Sequence, residues 1–308
     1  MALAPAADRP RSTQLAILIP FFVVTLIWGS TWIVIADQIG TVPASWSVCY
    51  RFLVAGAAML AWAAWKRERV ALDARGWAFA AVMGLAQFCL NFNFVYRAEA
   101  HVTSGLVAVI FALLLVPNAL LARAFLGQRM GGQLLAGSAV AIVGVSLLFL
   151  HELRDAPGAG REIALGVGLT LAGVLSASVA NVMQATPTAR AYPMATMLGV
   201  AMLIGAAINA GWAFATAGAP VFESRMGYWL GVLYLGLFAS AIAFTLYFGI
   251  IRVIGPAKAA YSGVLTPVIA MILSTLFEGY RWSLLAGAGA VLALAGLVIA
   301  LRARRPNR

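Results

Sequence analysis

The sequence predicts an all-α integral membrane protein of ten transmembrane helices, arranged as two inverted five-helix repeats. Three observations lead there. The 308 residues are 63% hydrophobic and only 10% charged, with a mean hydropathy of +0.94, whereas soluble domains carry about 25% charge. Uncharged runs of about 20 residues, the length a helix needs to cross a bilayer, recur along the whole chain. A shift of 150 residues then lays the second half on the first.

In chain order, a tail over 1–14 carries Arg9 and Arg11. The run that follows is uncharged from Ser12 to Ala36, too long for the apolar region of a cleaved leader, and reads as a retained first helix over about 15–36. The second run, 44–65, is interrupted only by Arg51, and runs at 76–96, 102–122 and 131–150 complete a first repeat over 15–150. A linker over 151–162 leads to runs at 163–185, 193–215, 226–251, 259–277 and 282–301, a second repeat over 163–301, and a basic tail over 302–308. A membrane barrel would instead alternate in polarity over segments of about ten residues, and nothing here does so.

The net charge of +11 is distributed as topology signals are, between apolar runs, without the basic stripe and interleaved aromatics of a nucleic-acid surface. With the N-terminus inside, the cytoplasmic segments hold fifteen Lys and Arg and the opposite side five; Arg51 completes the 21. Both termini are therefore expected in the cytoplasm. Cys49 and Cys89 fall inside apolar runs, where a lone thiol is a small hydrophobe, and no disulfide framework or metal site is indicated.

The 150-residue shift sets Leu134-Leu135-Ala136-Gly137 on Leu284-Leu285-Ala286-Gly287, Pro117 on Pro267, Gly105 on Gly255 and Gln128 on Glu278. Five helices per half is an odd number, so the second copy must enter the membrane in the opposite sense. In such folds the substrate site lies near the midplane between the halves, on discontinuous helices. Pro117 and Pro267 are candidate hinges, because proline removes a backbone hydrogen bond; tolerated kinks are the alternative.

These residues resemble the EamA branch of the drug/metabolite transporter superfamily, over nearly the whole chain. Trp28-Gly29-Ser30, Arg51-Phe52 and the stretch from Pro117 to Leu126-Gly127-Gln128-Arg129 look like a first EamA repeat. Gly255-Pro256-Ala257-Lys258-Ala259, Pro267 and Phe277-Glu278 look like a second. Gln128 stands where the family usually has a glutamate, so a carboxylate there is not essential in this chain. Within the branch the chain looks most like the YddG-type exporters of aromatic amino acids and methyl viologen. The resemblance implies a cavity lined by helices 1, 3, 4, 6, 8 and 9, opened alternately to each side, in a bacterial inner membrane.

Catalysis finds no support: His101 and His151 sit at helix ends, all ten acids lie outside the apolar runs, and no carboxylate pair or metal cluster is apparent. Proton-coupled carriers typically hold an intramembrane carboxylate or histidine. Its lack predicts facilitated transport or exchange, without a cofactor.

The candidate substrate-binding residues are polar or aromatic groups inside the runs. Arg51 either pairs with a substrate carboxylate or snorkels outward from about 10 Å depth. Lys258, Ser262 and Thr266 recur every four residues as one stripe; Gln87 and Asn91 lie one turn apart, and Ser178, Asn181 and Gln184 at spacings of three. Buried amides need partners, in another helix or in a ligand. Trp28 and Trp32 share a face, and Trp28 is the better placed to line a pocket, while Tyr96 and Tyr247 near helix ends are either interface anchors or cavity groups. The expected substrate is a small neutral or aromatic amino acid, exported by a monomer whose only other partner is the lipid bilayer; export of organic cations is the alternative.

Overall fold

The structure is a computed structural model and describes residues 11–68, 71–128, 131–155, 159–259 and 262–301. Every secondary-structure element among the described residues is a helix, and none is a strand. The main helices are α1 (Arg11–Asp37), α2 (Ala44–Trp65), α3 (Ala74–Ala98), α4 (Ser104–Leu126), α5 (Gly132–Asp155), α6 (Gly160–Gln184), α7 (Met194–Ala217), α8 (Met226–Val253), α9 (Ser262–Phe277) and α10 (Leu284–Leu301). Eight, α1 to α8, are long and apolar enough to cross a membrane. The last two offer shorter apolar stretches, Thr266–Phe277 and Leu284–Ile299.

Helix limits follow local chemistry. The third helix starts two residues before the apolar run because the Asp73 carboxylate accepts the Gly76 N–H at 2.8 Å, an N-cap that a charge-free window misses. The fourth ends on Gly127 in the left-handed region (φ +65°), where a residue without Cβ bears no steric penalty.

Packing relates the two halves. The most extensive contacts join α5 to α10 and α2 to α7. Further, α3 packs on α6 as α8 packs on α1, and α4 on α6 as α9 on α1: each pair is the other's counterpart under the 150-residue shift. The α5–α10 contact is backbone-close. A Cβ at Gly144 would collide with the Ala293 nitrogen, and one at Gly296 with that of Ala141, the small-residue packing that lets helices approach in lipid.

Two helices depart from α geometry at related places. Residues Gly84–Asn91 of α3 and Leu237–Ile242 of α8 wind as π-helix. Each stretch has a carbonyl taken by a neighbouring helix: Asn209 Nδ2 donates to Phe88 O (2.9 Å), and Trp28 Nε1 to Ala239 O (3.1 Å). In α4 a 3-10 turn, Ala112–Leu114, precedes Pro117, whose missing N–H and bulky ring disturb the turn before it. Pro267 sits inside a helix that continues through it.

Candidate functional site

A cavity of about 860 Å³, counted out to its open mouth, lies among α1, α2, α3, α4, α6, α8 and α9. Its wall is mainly aromatic and aliphatic: Trp28, Trp32, Phe92, Phe111, Phe244 and Tyr247 contribute rings. These rings brace one another edge to face, with Trp28 5.3 Å from Phe244 and 4.8 Å from Tyr247 between centroids. The π winding of α3 turns Gln87 and Asn91 into this space, and such bulges are frequent at functional sites.

Among the described residues, Arg51 is the single charged one in the wall. It is 1% exposed, so it does not snorkel. Its Nε donates to Ser240 Oγ at 2.9 Å, and Ser240, in the π stretch of α8, donates in turn to Leu235 O at 2.8 Å. The guanidinium lies over Phe92, 4.2 Å from the ring centroid, and 5.4 Å from that of Phe52. Its Nη1 is shut off from solvent and has no hydrogen-bond partner.

Three more wall atoms share that condition: Trp32 Nε1, a donor, and the acceptors Gln87 Oε1 and Asn91 Oδ1. An unpaired buried polar atom costs about 1–3 kcal/mol, so four in one cavity mark places for a ligand or water to complete. Two are donors, one of them cationic, and two are acceptors. That set is complementary to a zwitterion.

Of the residues singled out from the sequence, the cavity brings together Trp28, Arg51, Gln87, Asn91, Asn181, Tyr247, Thr266 and Pro267. Asn181 also donates to Asn118 Oδ1 at 3.4 Å, joining α6 to α4. Tyr96 and Ser178 are buried but outside the wall. Tyr96 donates to Gln38 Oε1 at 2.9 Å behind Arg51; neither it nor Tyr247 is an interface anchor, for both are at most 2% exposed. Pro117 lies past the last wall residue of α4, Leu114. The side chains of Lys258 and Ser262 lie outside the described residues. Arg51 comes from α2, a helix not among the expected lining set.

Sequence reasoning missed Ser240 and Glu99. Ser240 is one hydroxyl among many, and only the π winding presents it to Arg51. Glu99 follows α3 by one residue, outside every apolar run, yet both its carboxylate oxygens are cut off from solvent and unpartnered. Burial, then the nearby charge of Glu278, push its pKa well up, against the pull of Arg51. All ten acids do lie outside the apolar runs, yet Glu99, three residues past the run at 76–96, is half-buried with its carboxylate oxygens enclosed. Glu278 accepts from Ser104 Oγ at 2.6 Å.

Comparison with known proteins gives a consistent picture. Residues 15–150 and 164–302 each match the EamA-like transporter family. The chain is 26% identical over 272 residues to Protein PagO of Salmonella typhimurium, covering 88% of each chain. It is 29% identical over 261 residues to the uncharacterized inner membrane transporter YedA of Escherichia coli K12, covering 84% of this chain and 81% of that one. A probable terminal-alkyne amino-acid exporter of Streptantibioticus cattleyicolor is 28% identical over 219 residues, 70% of this chain and 69% of its own. A crystal structure at 20% identity superposes with a TM-score of 0.66, covering 94% of this chain and 97% of that one, and shares the fold.

Proposed function

The chain belongs to the EamA-like transporter family, and we propose that it exports small neutral or aromatic amino acids through the cavity around Arg51. The observation that carries the reading is the set of four unpartnered wall atoms. The α-carboxylate of a bound amino acid takes Arg51 Nη1, a charge-assisted contact worth about 1.5–3 kcal/mol. Its ammonium is held by Gln87 Oε1 and Asn91 Oδ1, and its side chain lies among Trp28, Phe111, Phe244 and Tyr247. The relative described as an amino-acid exporter supports the same substrate class.

The protein works as ten spanning helices in two inverted repeats, with α9 and α10 completing the second, both termini in the cytoplasm and the bacterial inner membrane as its place. The reciprocal packing of the halves supports this arrangement. Alternating access follows from rocking one repeat on the other, with the 3-10 turn before Pro117 and the helix around Pro267 as flex points.

The aromatic wall also suits an organic cation, but a buried guanidinium over Phe92 opposes one. Ligand-induced thermal stabilisation of the purified protein separates the two readings. Phenylalanine is expected to raise the melting temperature, and phenylalaninamide, phenethylamine and methyl viologen are not. Stabilisation by the amines and viologen, with none by the amino acid, overturns the reading in favour of cation export.

A further inference from the structure

We infer that Glu99 is a proton-binding site linked to the cavity, where protonation of its carboxyl leaves Arg51 free for the substrate carboxylate and ionisation sets Glu99 in competition for it. Four observations meet here. Both Glu99 oxygens are buried without a hydrogen-bond donor, an arrangement a neutral carboxyl tolerates and a carboxylate does not. Arg51, 1% exposed, keeps one free Nη1 and acts electrostatically on Glu99. No cation lies within ion-pair distance of Glu99 among the described residues. Glu278, the second acid, is committed to the start of α4 through the Ser104 hydroxyl (2.6 Å) and N–H (3.5 Å), so its charge stands against ionisation of Glu99.

The groups that face Glu99 settle the sign. Glu278 raises its proton affinity, Arg51 lowers it, and the Tyr96 hydroxyl one turn back is bound to Gln38. Nearby His101 is occupied by Glu162 at 2.6 Å. A carboxylate arriving at Arg51 cancels the one charge that favours ionised Glu99, so substrate binding takes up a proton: Glu99 COO⁻ + H⁺ → COOH, the proton coming from water. By reciprocity, protonation tightens substrate binding by the same factor. The arrangement exists at one end of the cavity only, since the 150-residue shift sets Gly249 against Glu99 and Gln128 against Glu278.

The inference rests on the amino-acid reading for its ligand but is tested apart from it. Infrared titration of the purified wild type follows the protonated-carboxyl band that Glu99→Gln removes. That band is expected to persist above the ordinary carboxylate range and to titrate higher still in Arg51→Met. With phenylalanine, the wild-type Kd is expected to rise with pH, approaching about tenfold per unit above the Glu99 pKa, with proton uptake on binding. Glu99→Gln keeps the tight, acid-side Kd at every pH and takes up no proton. A Glu99 band that is absent at neutral pH, or indifferent to Arg51→Met, overturns the inference whether or not an amino acid binds. So does a Kd that is flat with pH, or one still pH-dependent in Glu99→Gln. If no amino acid binds at any pH while the band behaves as expected, the substrate reading falls and the proton site stands.

Discussion

The guanidinium carbon of Arg51 lies 4.2 Å from the centroid of the Phe92 ring, which places a permanent positive charge in the wall of an apolar cavity. The ring holds the charge from one side and Ser240 from another, and the Nη1 group remains unspent. A charge held that way favours an arriving anion, because the cost of burying it has already been met in the fold.

Replacing Arg51 by Met keeps the volume and removes the charge. The Kd for an amino acid is expected to rise about 10- to 100-fold, the loss of one charge-assisted contact. Thermal stability should hold or increase, since apolar replacement of a buried charge is often neutral or stabilising. Arg51→Lys keeps charge but not the planar fork, and an intermediate Kd is expected. Binding measured by scintillation proximity alongside a melting curve checks both parts.

Ser240→Ala strands the buried Nε of Arg51. The penalty of about 1–3 kcal/mol for an unpaired donor is expected as a lower melting temperature. In Arg51→Met the same change should cost much less. A double-mutant cycle reads this as non-additivity, and strict additivity would deny that the hydroxyl serves the guanidinium.

Asn209 ties α7 to the π stretch of α3, donating to Phe88 O at 2.9 Å and Gly205 O at 2.7 Å and accepting from Asn93. It lies outside the cavity wall. Asn209→Ala should therefore lower stability by roughly 1–2 kcal/mol, the upper range for side-chain bonds in membranes. Relaxation of the π stretch would also move Gln87 and Asn91, so a modest loss of affinity is expected with the loss of stability.

At the arginine-rich end, the Tyr192 hydroxyl and then the Gly76 N–H hold the Asp73 carboxyl below its usual range. A depressed folded-state pKa contributes stability above the unfolded pKa and loses it as pH falls through the folded value. The wild-type melting temperature is expected to drop as pH descends below the ordinary carboxylate range, with a shallower drop in Asp73→Asn. Melting curves across that range check it.

Much of this was legible in the sequence because the bilayer enforces it. An apolar run of about twenty residues can do little but form a helix in a bilayer, and the run at 44–65, interrupted only by Arg51, coincides with α2. Gln87, Asn91 and Asn181 stood out as amides in apolar surroundings, and the cavity collects all three. What stayed hidden depends on geometry that spacing does not encode. Helical periodicity assumes 3.6 residues per turn, and the π windings of α3 and α8 break that register at the site itself. Glu99 was hidden for a different reason: enclosure of a side chain depends on what packs around it, and nothing in the run at 76–96 tells that the carboxylate oxygens three residues further on are shut off from solvent. Tyr96 misled in the opposite way, a polar aromatic near a helix end that serves Gln38 behind the wall.

The most direct test of amino-acid transport is counterflow in proteoliposomes. Vesicles are loaded with unlabelled phenylalanine, diluted into a trace of labelled phenylalanine, and followed for transient accumulation of label. The account predicts an overshoot in the wild type, abolished by excess unlabelled neutral amino acid outside and absent in Arg51→Met. No overshoot across a panel of neutral amino acids, from protein that is folded and inserted, would contradict it.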